Sequence, residues 1–425
     1  MMRPHRLALA LLLSAPTFAA GFGDHADLQA ALDAQPGKVL ALPAGDYHIS
    51  RKLVLRGDGA GLVGPGRIIQ ENPDEPIVEI DGLKDVTLRD VTLTRAPGKT
   101  VSRKSGLLAL RCAYLTVDHV RILDNQSATG ALALRECRFA RVTGCLVRNY
   151  MRVSVDDRTQ SPDWGYAFNC TDGTGIQVSA SQGTLIEGNT VVEEAFRPTK
   201  ETMERHALGV WTKKNPTKGR FLSQAAWDAG RTDNWQQGSG IVVTSPESSE
   251  LTRILGNHVE NGAQGLDLHC DRVIVAHNVI VNCFMGMKAM HGSRNVIITG
   301  NQFARNSLWA IGLMPGAAAH KDNPDGGSIV SDNVISLFGQ GDASWIWGDG
   351  NSPFKFDTGQ QADDPPLTDV LVRGNLIDQA GPPRYKYAVI IMGAVDGPST
   401  PRGLHFQGNS FAPGSLGVSN RPLAE

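Results

Sequence analysis

The 425-residue chain reads as an all-β protein: a β-solenoid of stacked short strands with an N-terminal capping helix and loop insertions. Three observations predict this. Glycine is abundant at 47 residues while aromatics make up only 6 %, a composition of many turns and small side chains. A short element, apolar-x-x-[Gly/Asp]-Asn-x-apolar, recurs along most of the chain. Between its copies run segments of strict apolar/polar alternation, the pattern of half-buried strands. Units of about 22 residues with two or three short strands cannot bury a face alone, so neighbouring units must stack into one core.

The chain starts with a different kind of segment. Arg3, His5 and Arg6 precede an apolar run over residues 7–13, Pro16 breaks it, and Thr17-Phe18-Ala19 offers small residues for cleavage. This pattern predicts a signal peptide over residues 1–20 and a single exported domain, periplasmic or secreted, over 21–425. The apolar run is far shorter than the ~20 residues of a spanning helix, and no later stretch qualifies, so no membrane span is expected. The formal net charge of −2 argues against a nucleic-acid partner. The six cysteines, Cys112, Cys137, Cys145, Cys170, Cys270 and Cys283, form no C-x-x-C motif, and their pairing is left open.

The repeated asparagines are Asn189, Asn257, Asn278, Asn301, Asn333, Asn375 and Asn409. The tightest spacings, 21 residues from Asn257 to Asn278 and 23 from Asn278 to Asn301, give the length of one coil. Upstream, the same register puts Asp90, His119 and Cys145 at the asparagine position. Stacked turn asparagines are expected to hydrogen-bond to one another as an internal ladder. The longer gaps mark insertions at about 151–174, 193–238 and 341–368.

These features resemble the right-handed parallel β-helix of the pectate-lyase-like superfamily. Asp27-Leu28-Gln29-Ala30-Ala31-Leu32 looks like its capping helix, and Val39-Leu40-Ala41-Leu42-Pro43-Ala44-Gly45-Asp46-Tyr47 like a first coil. The resemblance spans roughly residues 24–412 and implies the fold. It does not choose a reaction, since that superfamily holds lyases, hydrolases, epimerases and non-enzymatic proteins.

Alternation then assigns an outward face. With Ile176 and Val178 inward, Gln177 and Ser179 point out, followed on later coils by Val242 and Thr244, Asp267 and His269, Lys288 and Met290, and Gly312 and Met314. Coils lie about 4.8 Å apart, so Lys288 stands beside Asp267, with His269, His291 and Arg294 near. Tyr166, Trp211, Trp235 and Arg205 in the insertions, with Gln177 and Arg294, are the expected substrate contacts. Trp345, Trp347, Phe354 and Phe356 fall in the third insertion, another candidate wall.

Asp267, His269, Lys288 and His291 suit one chemistry in particular. Abstracting the C5 proton of a uronate requires neutralising the adjacent carboxylate and placing a base within reach. Loss of the C4 oxygen then gives a lyase, and reprotonation from the opposite face an epimerase. Gly265-Leu266-Asp267-Leu268-His269 resembles the Tyr-Gly-[Phe/Ile]-Asp-Pro-His segment of mannuronan C5-epimerases, which implies catalytic roles for Asp267 and His269. Gln264 stands where that family has its tyrosine, and Leu268 replaces its proline. The family's lysine lies on the preceding coil, at Val242 here, whereas Lys288 lies on the following one. An epimerase of that type would need Tyr166 or another loop residue in the tyrosine's place.

The expected partner is therefore an acidic polysaccharide or oligosaccharide. Two alternatives stay open. A glycoside hydrolase would pair Asp267 with Glu193, Glu194, Asp156 or Asp157. A non-catalytic polysaccharide-binding or export protein would use the same groove without turnover. No organic cofactor is expected. Calcium is left open, since Asp322, Asp325, Asp363 and Asp364 sit in turns without calcium-like spacing.

Overall fold

The computed structural model describes residues 25–220, 222–316, 323–342, 350–359, 364–393 and 397–425. The signal-peptide segment, Trp345, Trp347, Asp322 and Asp363 lie outside these residues. The chain forms a right-handed parallel β-helix: three 12-stranded parallel sheets in which each strand pairs with its equivalents one coil before and one coil after. In chain order, a coil contributes a strand to the first sheet, turns through the asparagine position into the second, and ends in the third. The core fills the bore. In the first sheet Val142, Ile186, Ile254, Val275, Ile298 and Val330 stack in register, each 0 % exposed.

The helix His25–Ala34 closes one end of the bore, burying Leu28 and Leu32. Gln29 ties it to the first coil, accepting from Val54 N at 2.9 Å and donating to Val54 O at 3.0 Å. Without this plug the first coil's apolar side chains would face water.

The asparagines form the expected ladder. From Asn189 to Asn375, backbone N and Nδ2 both donate to Oδ1 of the asparagine one coil on, at 2.9–3.0 Å. The ladder satisfies turn groups that the strands leave unpaired inside the helix. Cys145 joins its end, its N–H donating to Asn189 Oδ1 at 2.8 Å. Asp90 and His119 do not occupy this column; Val91 and Val120 do, both 0 % exposed. Asp90 (φ 60°) and His119 (φ 52°) instead take the preceding left-handed position, where later coils place Gly188, Gly256 and Gly300. Asp and His tolerate that conformation better than branched residues, whereas the ladder position faces the core and takes a valine.

Phe354 and Phe356 also move from their expected place. The segment Ser352–Phe356 is a strand of the third sheet rather than a loop, with both rings 0 % exposed in the core. Pro353 masks the pattern. It sits where pairing between neighbouring coils skips a residue, at Gly286 and Ala310 on the coils before, so no ladder bond is lost. All six cysteines are buried and free.

Candidate active site

The third sheet carries the candidate site on its outer face. Gln177, Val242, Asp267, Lys288, Gly312 and Lys355 occupy one register position on successive coils and form a single outward row. On the N-terminal side the sheet is overhung by the insertions, which combine into one unit. The strands Arg152–Asp157, Tyr166–Asp172 and Trp211–Lys214 form a small antiparallel sheet, backed by the helices Lys200–Arg205 and Gln224–Ala229. Between this unit and the coils lies a cleft of ≈ 510 Å³, lined among others by Asp156, Asp172, Gln177, Gln264, Asp267 and Lys288.

Asp267 is the centre of the cluster. It is 7 % exposed, with Lys288 Nζ 3.5 Å from Oδ2 and His269 Nε2 2.9 Å from Oδ1. Burial pushes its carboxyl up, but the Lys288 ammonium and His269 outweigh this and hold it at about 2. Asp267 is thus a fixed anion at neutral pH. The contact with His269 is too oblique for a directed hydrogen bond, so Asp267 Oδ1 and His269 Nε2 remain buried without a hydrogen-bond partner. The Nδ1 of His269 lies 3.4 Å from Thr244 Oγ1, a long contact.

His291 packs edge-on against His269, ring centroids 4.6 Å apart at 81°. Burial lowers it to about 4, helped by the neighbouring His269 and Lys288, so it stays neutral. Its backbone takes φ 59°, and the turn behind it is gripped by Asp325, which accepts from Gly292 N at 2.8 Å and Ser293 N at 2.9 Å. Gly316 on the next coil leaves room for the ring: a Cβ there would lie 2.7 Å from His291 Nδ1.

The remaining sequence candidates sit as follows. Gln177 faces the cleft, its Oε1 accepting from Gly130 N at 2.9 Å. Tyr166, Trp211 and Trp235, expected on the substrate face, are placed with the insertion's own apolar cluster, together with Phe168, Met203 and Leu208. Tyr166 is 2 % exposed and Trp235 1 % exposed, and Trp211 stacks on Tyr166 at 4.5 Å. The insertion is large enough to need its own core, and these rings supply it. Arg205 is exposed and pairs with Glu201 on its own helix at 3.0 Å. Arg294 pairs with Asp271 at 3.2 Å at the corner beyond the groove sheet.

Sequence reasoning named Gln264 only as the tyrosine's replacement and Asp156 only as a hydrolase partner of Asp267, and it missed Lys355 and Asp172. Gln264, three residues before Asp267, lines the cleft. Lys355 continues the outward row; its ammonium lies 4.6 Å above the Trp309 ring and 3.0 Å from Asp357 Oδ2. The alternation Phe354-Lys355-Phe356-Asp357 carries the same in-out signal as Leu266-Asp267-Leu268-His269, but Pro353 hid it. Asp156 and Asp172 enter the cleft from the insertion, each held by an arginine, Arg158 at 2.7 Å and Arg152 at 3.1 Å. Among the described residues, no group of three or more His, Cys, Asp or Glu side chains is arranged to hold a metal ion.

No family model matches the chain, and no curated protein matches its sequence. Solved structures do share the fold. The chain resembles a mannuronan C-5 epimerase A-module of Azotobacter vinelandii, with TM-score 0.50 and 14 % identity over 96 % of this chain and 97 % of that one. An exopolygalacturonase of Thermotoga maritima superposes with TM-score 0.55 and 11 % identity, covering 90 % of this chain and 86 % of the other. An alginate lyase solved in complex with its ligand gives TM-score 0.52 and 10 % identity over 94 % and 85 % of the two chains. At such identities the likeness establishes the right-handed parallel β-helix and nothing finer.

Proposed function

We propose that the protein is an exported enzyme that abstracts the C5 proton of a uronate unit in an acidic polysaccharide, ending in β-elimination or C5 epimerisation. The observation that carries this reading is Asp267, held as an anion between Lys288 and His269 at the edge of an open cleft. Epimerase, lyase and hydrolase neighbours on the same fold make a polysaccharide the natural occupant of that cleft.

On this reading each residue has one role, supported by its placement. Lys288 faces the substrate carboxylate and lowers the cost of the enolate-like charge that develops next to it. His269 accepts the C5 proton through Nδ1, whose contact with Thr244 is long. The imidazolium so formed lies 2.9 Å from Asp267, which stabilises it and keeps the ring oriented. His291, held neutral, does not oppose that charge as a second imidazolium would. The electron pair of the C5–H bond moves toward the carboxylate. It then expels the C4 oxygen, which takes a proton from water and leaves as a hydroxyl with a C4–C5 double bond behind it, or else C5 takes a proton from water on the face opposite His269 and is inverted.

Hydrolysis fits less well, because it needs one protonated carboxyl opposite a second carboxylate. Asp267 is held ionised. Burial does raise Glu193 to about 7, but its oxygens accept from Met151, Ala195 and Phe196 backbone N–H groups and it is 0 % exposed. Asp157 is engaged by Thr159, Glu194 is exposed beside Arg148 at 3.8 Å, and Asp156, the one of the four that lines the cleft with Asp267, is paired with Arg158 at 2.7 Å.

The test is to incubate the mature protein with a panel of uronate polymers in D₂O, following ultraviolet absorbance and the H5 proton resonance together. Rising absorbance identifies elimination; loss of the H5 signal without absorbance identifies epimerisation. Release of reducing ends with neither change refutes the proposal in favour of hydrolysis.

A further inference from the structure

The strand Gln264–Leu268 and the residue after it present three outward side chains to the substrate side: Gln264, Asp267 and His269. Asp267 Oδ1 and His269 Nε2 face each other at 2.9 Å, whereas Gln264 Oε1 is buried and has no hydrogen-bond partner. Buried polar atoms are nearly always satisfied, so an orphan acceptor lining a cleft marks a surface completed by something bound. The catalytic reading accounts for Asp267 and His269. It gives Gln264 no task.

Gln264 is 6 % exposed and lines the same cleft as Asp267. Its main chain is anchored to the coil before, the N–H donating to Gly238 O at 3.1 Å. Its in-register neighbour on the following coil is Met285, whose thioether has no proton to donate. An amide oxygen accepts only, so the missing partner must be an N–H or O–H. On an acidic polysaccharide that group is a ring hydroxyl, and an amide cannot itself take or supply the catalytic proton.

We infer that Gln264 reads a free hydroxyl on the sugar unit lying across this strand, so that the site takes unsubstituted uronate units and rejects those O-acylated at that position. This rests on the proposed function, since it assumes that the sugar undergoing C5 chemistry lies over Asp267. Acylation removes the proton that Oε1 requires and adds bulk against a buried atom. A site built around a hydroxyl rejects partners lacking it far more strongly than an apolar pocket rejects a small change in size.

The experiment compares an oligouronate with its O-acetylated derivative, measuring kcat/KM and direct binding for wild type, Gln264→Ala and Gln264→Glu. Wild type is expected to prefer the free form by about a hundredfold or more. Gln264→Ala removes the orphan and opens space, so the preference should fall at least tenfold, mainly through KM. Gln264→Glu keeps an acceptor in place and should retain most of the preference, which also controls for damage to the fold. A preference unchanged in Gln264→Ala overturns this inference alone. A wild type that neither binds nor converts either oligosaccharide overturns the proposed function and this inference with it.

Discussion

Replacing Lys288 by methionine removes the ammonium 3.5 Å from Asp267 Oδ2 while keeping most of the side chain's apolar stem. In the native protein the Asp267 carboxyl is held at about 2 against an ordinary 3.8, even though burial pushes it upward. That lowering corresponds to about 2 kcal/mol of stability at ~1.4 kcal/mol per pH unit. Because the folded value lies below the unfolded one, this contribution is present above pH 3.8 and is lost as pH falls through about 2. Without Lys288, burial is opposed by His269 alone, and the carboxyl moves up. The variant should therefore be less stable than wild type by at least about 2 kcal/mol at neutral pH. The gap should narrow steadily as both proteins are acidified. Urea unfolding midpoints at a series of pH values measure this directly, and turnover assays at neutral pH should show activity largely abolished. A stability difference that does not shrink as pH falls from 3.8 through about 2 would refute the account of Asp267 as an anion held by Lys288.

Other consequences can be checked in the same way. Asn301→Ala strips the buried Asn278 N of its acceptor, while Asn278 Nδ2 keeps Ile254 O and Ala276 O, so it should cost about 1–3 kcal/mol at ~1–3 kcal/mol per orphaned group, whereas Asn409→Ala should cost less because the equivalent donors of Asn375 are only part-buried there. A histidine ring titration by NMR should find His291 protonating only near 4, and protonation in the ordinary histidine range would remove it as the neutral neighbour of His269. Burial raises Asp325 to about 8, so its protonated form suits the fold and stability should decline as pH rises from 3.8 through 8; Asp325→Asn should flatten that slope in thermal midpoints.

What the sequence determined by itself is whatever repeats. The asparagine column, the in-out alternation and the position of Asp267 beside Lys288 all follow from coil length, since one coil of parallel strands leaves a single register that keeps the apolar residues inside. The same rule misplaced Asp90 and His119 by one residue, because a left-handed turn position and a ladder position are adjacent and both accept small polar side chains. It also lost Lys355, where a proline interrupted the pattern without interrupting the coil. Tertiary structure decided everything that does not repeat. The insertions carry no periodicity, so only their folding showed that Tyr166, Trp211 and Trp235 pack on one another while Asp156 and Asp172 reach the cleft. It also decided the electrostatics. The charges of Asp267 and His291 depend on how deeply each is buried as well as on the neighbours that coil length had placed, and depth of burial is not recorded in sequence spacing.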